Sequence, residues 1–218
     1  MFVILEDKKK AEPVPLSQEE AEQLDELTEQ EKAEHLMQLL GSAGEAKEMR
    51  TMMLYGDVNE EKAGDMVAGL LMLQASKKEE SPPIKFYIST YGGSADDMFA
   101  VYDVMNMVKK DCEIETIGMG KIMSAGTLLL AAGTKGQRKI FRNCRVMIHS
   151  VSAGNVGTLH NLEVELEEIQ NLQDMYISAM VQCTDLTKRQ LRKMLDQKVN
   201  VYLTAEEAVE YGLADEII

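Results

Sequence analysis

The pattern of apolar and polar positions changes character at about residue 50. From there on, short apolar runs predict strands at 52–56, 84–90, 113–120 and 145–149. The longer stretches between them predict helices at 59–76, 94–109, after 124, 158–184, 188–195 and 205–211. Strands that recur with helices between them pair in parallel, so the sequence predicts an α/β fold.

Residues 1–48 form a separate region in this pattern. Ser17 and Glu20 make a capping-box pair, and a helix is predicted from there to about Leu40, with one apolar stripe. Residues 1–50 contain 13 acidic and 6 basic side chains. We therefore expect an acidic, partly helical extension followed by a domain at 49–218, with a docking arm or gate for a partner as the alternative role of the extension.

Composition narrows the class of protein. A net charge of −14 argues against nucleic acid or an anionic membrane as the main partner, because both require positive surface potential. No apolar run approaches the ~18 residues of a membrane span or forms a signal peptide. Three cysteines without a CxxC pair indicate a reducing compartment and no zinc site. We expect a cytoplasmic protein with no metal and no cofactor.

Candidate chemistry collects at the carboxyl ends of three predicted strands. The Gly92-Gly93 turn can present backbone N–H groups to an anion, although a plain turn is the alternative and no GxGxxG or GK[ST] motif supports a phosphate site. Ser124 begins an apolar helix, where a buried core hydroxyl is the alternative to a nucleophile. His149 ends an apolar strand 25 residues later.

The chain has three histidines, and two have simpler explanations. His35 falls in the acidic N-terminal helix, and His160 is expected at the surface or near a helix cap. His149 follows a buried strand at the edge of the sheet where Ser124 should emerge. The pair Ser124 and His149 therefore favours nucleophilic catalysis.

Four ordered segments resemble the Clp protease proteolytic subunit (ClpP) family: "YISTYGGS", "GMGKIMSAGTLLLAAGTKGQR", "NCRVMIHS" and "LTAEEAVEYGLADEII". The resemblance runs from about Met49 to the end of the sequence. It implies a crotonase-like (ClpP-type) α/β fold, a stack of strand–helix units with a protruding handle helix at about 158–184.

The resemblance also implies roles for individual residues. Ser124 is the nucleophile and His149 the general base, while the backbone N–H groups of Gly93 and Ala125 form the oxyanion hole. Gly154 and Gly157 lie in the segment where the family pairs an extended substrate strand with its own edge.

The third member of the triad departs from the family. Asn200 stands where the family usually has Asp, and Asp196 is the rival candidate. An Asn carbonyl can orient the imidazole but supplies no charge to the imidazolium.

The expected protein is a serine endopeptidase that hydrolyses unfolded proteins inside heptameric rings, in one ring or two stacked as a tetradecamer. An AAA+ unfoldase of Clp type would feed it. The alternatives are a weakly active or structural subunit of a mixed ring, a prohead maturation protease, and a crotonase-like acyl-CoA enzyme. A crotonase-like acyl-CoA enzyme would not require a Ser-His pair.

Overall fold

The computed structural model describes residues 49–154, 156–197 and 200–218, which contain seven strands and six helices. The strands are β1 (Thr51–Tyr55), β2 (Ile84–Thr90), β3 (Ile114–Met123), β4 (Arg138–Ile140), β5 (Arg145–Ile148), β6 (Val201–Leu203) and β7 (Glu216–Ile217). The helices are α1 (Glu60–Ala75), α2 (Ala95–Val108), α3 (Ala125–Ala131), α4 (Leu159–Cys183), α5 (Lys188–Asp196) and α6 (Ala205–Glu210). Predicted boundaries agree within three residues. The helix predicted from Ser17 to Leu40 lies outside the described residues.

The sheet is mainly parallel, in the order β1-β2-β3-β4-β7, with β5 beside β3 and β6 beside β5. This confirms the α/β fold, but the expectation of parallel pairing is wrong for β6, which runs antiparallel to β5. The reason is that two helices, α4 and α5, connect these strands. The second helix reverses the chain direction once more before the chain enters the sheet as β6.

Strand β3 changes its neighbour halfway along. Residues 116–118 pair with β4, whereas residues 121–123 pair with β5. Gly120 lies between the two sections with φ of 65°, a conformation that glycine adopts without steric cost. The change of partner brings the end of β3, and with it Ser124, alongside the end of β5.

Helices α1, α2 and α3 pack with the sheet to form the core. All seven residues of α3 are buried, which explains why "AGTLLLA" has no polar face. Phe86 and Ile88 of β2 are also fully buried. Each fully buried Leu, Ile or Phe contributes roughly 1.5–3 kcal/mol relative to an exposed position.

Helix α4 has two different halves. Residues 159–168 are exposed, whereas Tyr176, Ile177, Ala179 and Met180 are buried against the core. This arrangement agrees with the handle helix expected at about 158–184. Within the described ranges, no helix combines the length and apolar character needed to cross a membrane.

A buried ion pair fixes the C-terminal end of the chain to β4. The Arg138 side chain, 1% exposed, donates to both carboxylate oxygens of Asp215, at 2.8 Å from Nε and 2.5 Å from Nη2. It also donates to the backbone carbonyls of Cys183 and Gly212. Burial raises the pKa of Asp215, but hydrogen bonds from the Arg138 side chain and backbone, and the Arg138 charge, outweigh burial and lower it.

Candidate active site

Ser124 occupies a strained position between β3 and α3. Its φ of 54° and ψ of −122° make it the one non-glycine residue with positive φ in the described part of the chain. Such conformations cost of order 1–3 kcal/mol and cluster at active sites. The sharp strand-to-helix turn resembles the nucleophile elbow of α/β-hydrolases, although the GxSxG sequence typical of that elbow is missing.

Backbone hydrogen bonds hold this turn on both sides. The N–H of Ser124 donates to the carbonyl of Met147 in β5 at 2.9 Å. Its carbonyl oxygen accepts from Thr127, from the backbone N–H at 2.9 Å and from the hydroxyl at 2.6 Å. The strained conformation is therefore fixed by the neighbouring strand and by the first turn of α3.

The Gly92-Gly93 turn lies directly against Ser124. A Cβ atom at Gly92 would stand 2.5 Å from Ser124 Cβ and 3.0 Å from its Oγ, so no larger residue fits. The φ of Gly92 is 103°, and its N–H donates to Thr90 Oγ1 at 2.9 Å. Glycine is needed here for both its conformation and the close approach of the serine.

The direction of the Gly93 N–H follows from its flanking bonds. Val58 N–H donates to the Gly92 carbonyl at 2.7 Å, and Ser94 N–H donates to the Val58 carbonyl at 3.0 Å. In this parallel bridge the N–H of Gly93 itself points to the opposite side, which is the side of β3. Ala125 is the first residue of α3, so its N–H has no partner within the helix.

A cavity of about 290 Å³ brings together four of the predicted site residues: Gly93, Ser124, Ala125 and His149. His149 follows β5 and is partly exposed, as is Ser124. Ser124 and His149 line this cavity without a direct hydrogen bond between them. In enzymes without substrate such catalytic contacts are commonly long and shorten when substrate binds.

Apolar side chains from two helices form one part of the cavity wall. They are Met98 and Phe99 of α2 and Ile169, Leu172 and Tyr176 of α4. None of these residues was predicted from the sequence as part of a site. The spacing of 169, 172 and 176 places them on one face of a helix, and that periodicity is the signal that could have found them.

The pairing of β5 with β6 ends one residue short of His149 and Asn200. Val146, Met147 and Ile148 of β5 pair in antiparallel order with Leu203, Tyr202 and Val201 of β6. Asn200 immediately precedes β6, is exposed, and is not among the residues that line the cavity containing His149.

Asp196 lies elsewhere. It ends α5, is exposed, and lines a different, open cavity with Lys188, Arg189, Arg192 and Lys193. It is not among the residues around the cavity that contains His149.

The two predicted substrate-binding glycines lie beside the cavity rather than in its wall. Gly154 and Gly157 are exposed, while residues 150–153 line the cavity. The N–H of Val151 donates to Gln173 Oε1 of α4 at 3.2 Å, which fixes the start of this segment.

His160 is not among the residues that line this cavity. The His160 side chain is 85% exposed, with Nδ1 4.0 Å from Glu163 Oε2, as expected for a surface residue. His35 lies outside the described residues.

The comparisons with known proteins agree on one family. A family model described as Clp protease matches residues 31–218. Over 171 residues the chain is 35% identical to the ATP-dependent Clp protease proteolytic subunit 2 of Corynebacterium jeikeium, covering 78% of this chain and 79% of the relative. Over 161 residues it is 37% identical to the ATP-dependent Clp protease proteolytic subunit of Deinococcus radiodurans, covering 74% and 76%.

Proposed function

This chain belongs to the Clp protease family of serine peptidases, and from that premise we propose that it is an endopeptidase subunit with Ser124 as nucleophile. The observation that carries the assignment is the strained turn of Ser124, which lines one cavity with His149, Gly93 and Ala125. A core serine needs neither positive φ nor a cavity.

The chemistry follows from the positions of these groups. His149 takes the hydroxyl proton as Ser124 Oγ attacks the scissile carbonyl, then gives it to the leaving amine. The N–H groups of Gly93 and Ala125 stabilise the negative oxygen that develops. Water, deprotonated by His149, then releases the acyl group. Asn200 accepts the remaining imidazole N–H and keeps the ring oriented.

The cavity and its surroundings suit an extended, unfolded peptide. The apolar wall formed by α2 and α4 accepts an apolar side chain next to the scissile bond. The segment with Gly154 and Gly157 pairs with the peptide backbone, which recognises a substrate with little dependence on its sequence.

Assembly is part of the proposal. The relatives' printed names describe ATP-dependent proteolytic subunits, and we infer for this chain an AAA+ unfoldase of Clp type as partner and heptameric rings, single or stacked, in the cytoplasm. The exposed half of α4 supports contact between copies, because Leu159, Leu162 and Leu166 are 75%, 38% and 55% exposed. Single exposed apolar residues are normal, but a row on one helix favours an interface.

Labelling with a fluorophosphonate probe tests the catalytic assignment. The wild-type chain is expected to be labelled at Ser124 and to cleave peptides, whereas Ser124→Ala loses both and still assembles. His149→Ala is expected to behave like Ser124→Ala. His160→Ala is the matched control that stays active, because its side chain is exposed away from the cavity. Peptide cleavage by purified Ser124→Ala at the wild-type rate would contradict the assignment.

A weakly active subunit of a mixed ring is the second candidate, and Asn200 is the observation that favours it. A neutral amide in the orienting role supplies no charge to the imidazolium, and in a serine protease adapted to Asp the same exchange costs about 10⁴ in turnover. Slow labelling of the chain alone that accelerates when a second Clp subunit is added would favour this candidate.

A further inference from the structure

Two buried hydroxyl groups connect α4 to the backbone of Ser124. Tyr176 OH lies 2.7 Å from Thr127 Oγ1, and Thr127 Oγ1 lies 2.6 Å from the carbonyl oxygen of Ser124. Thr127 is fully buried and Tyr176 is 6% exposed. Water therefore does not compete for these bonds, and hydrogen bonds in such surroundings are strong.

The direction of the two bonds is fixed by the atoms available. The Ser124 carbonyl can only accept, so the single hydroxyl hydrogen of Thr127 is donated to it. Thr127 Oγ1 then has no hydrogen left for Tyr176, and the Tyr176 hydroxyl must be the donor. Burial raises the pKa of Tyr176 to about 12, against a smaller lowering by its bond to Thr127, so the phenol keeps this hydrogen at neutral pH.

The last of these bonds acts on the peptide group that carries a proposed oxyanion donor. The carbonyl of Ser124 and the N–H of Ala125 belong to the same planar peptide group, so fixing the oxygen also fixes the direction of the N–H. Ala125 N–H is one of the two proposed oxyanion donors. Because Ser124 has a φ of 54°, this peptide group is held in a backbone conformation that is unfavourable for a non-glycine residue.

We propose that Tyr176, acting through Thr127, is a positioning residue that orients the Ser124–Ala125 peptide group for transition-state stabilisation. The inference rests on the proposed function, in which Ser124 is the nucleophile and Ala125 an oxyanion donor. Tyr176 also lines the cavity, so one side chain of α4 both contacts the substrate-binding space and supports the reacting backbone.

The test compares variants that remove one hydroxyl at a time from the full-length chain. Tyr176→Phe keeps the ring and deletes only the bond to Thr127, whereas Thr127→Val keeps the shape of the side chain and deletes both bonds. Tyr176→Phe is expected to lower the first-order rate of acylation at saturating fluorophosphonate about tenfold, which corresponds to one buried hydrogen bond of about 1.4 kcal/mol, and Thr127→Val is expected to lower it at least as much. The probe concentration for half-maximal rate should change by less than about twofold, because ground-state binding is not involved.

Three further variants separate positioning from general destabilisation. Thr127→Ser retains the hydroxyl and is expected to recover most of the rate lost in Thr127→Val. The double variant Tyr176→Phe/Thr127→Val should be no slower than the slower single variant, since both act through one chain of bonds. Tyr102→Phe is the matched control, because it also removes a buried tyrosine hydroxyl, one that contacts Cys183 instead of Thr127.

The outcomes are distinct from those that test the proposed function. If wild-type protein is not labelled at Ser124, both the proposed function and this inference are wrong. If wild-type protein is labelled and Tyr176→Phe or Thr127→Val acylates at the wild-type rate, only the positioning role is wrong. The same holds if Thr127→Ser is as slow as Thr127→Val, or if Tyr102→Phe loses as much rate as Tyr176→Phe.

Discussion

Replacing Gly93 by Ala displaces an oxyanion donor by an amount that the structure defines. A Cβ atom at Gly93 would lie 2.0 Å from the carbonyl oxygen of Val58 and 2.8 Å from its C and N atoms. All three are backbone atoms of a β-bridge, so no side chain can turn away to make room. Relief requires the turn to move by about 1 Å, a displacement that can cost 10²-fold in an active site.

The expected result is a loss of about 10²–10³ in acylation rate, or about 2.7–4 kcal/mol, which is the cost of removing one oxyanion donor. The assay is the rate of fluorophosphonate labelling at Ser124, together with single-turnover peptide cleavage. Gly64→Ala in α1 is the matched control, because a Cβ there meets nothing within 4 Å. That change should leave the rate unaltered and stabilise the exposed helix by roughly 0.5–1 kcal/mol.

Measurement of urea unfolding for both glycine variants separates a displaced donor from a disrupted fold. If Gly93→Ala has a wild-type unfolding midpoint and acylates within about threefold of wild type, the N–H of Gly93 does not contribute to the oxyanion hole. Equal loss of rate in Gly64→Ala would show that the effect is not local to the turn.

Three other predictions address the orienting residue, the buried ion pair and the N-terminal region. Asn200→Ala should lower the single-turnover acylation rate more than it weakens peptide binding. Asn200→Asp should raise the acylation rate through a charge-assisted hydrogen bond worth about 1–3 kcal/mol. If Asp196→Ala lowers the acylation rate and the Asn200 variants do not, the role proposed for Asn200 is contradicted. Asp215→Ala should lower the free energy of unfolding by about 3–5 kcal/mol, because Arg138 stays buried without a counter-charge, and an unchanged urea midpoint would refute this. Since the folded pKa of Asp215 is lowered, its stabilisation is present above the unfolded carboxyl pKa of about 3.9 and is lost as pH falls through the lower folded value, so wild type and Asp215→Asn should converge in acid. Deletion of residues 1–45 should leave a folded chain that is labelled at Ser124, and loss of folding would show that the predicted extension packs into the domain.

The order of strands and helices was available from the sequence because it depends on local patterns. Each long element has enough residues to show its period, as the agreement for β2 and α4 shows. The strands β4, β6 and β7 were missed because they have three, three and two residues, too few to display an alternation. Ser124 and His149 could be proposed from sequence because each follows an apolar strand, and the carboxyl ends of parallel strands meet at one edge of a sheet.

Tertiary structure alone decided how the site is completed. The antiparallel entry of β6 places Val201 opposite Ile148, the residue before His149, while Asp196 lines a different, open cavity, and no local pattern specifies that register. The same is true of Arg138, whose charge suggests exposure until Asp215, 77 residues later, folds against it. The positive φ of Ser124 and the hydroxyl bonds from Tyr176 arise because β5 and α4 converge on one turn. Contacts between distant segments have free energies that depend on their mutual geometry, whereas helix and strand periods depend on neighbours along the chain.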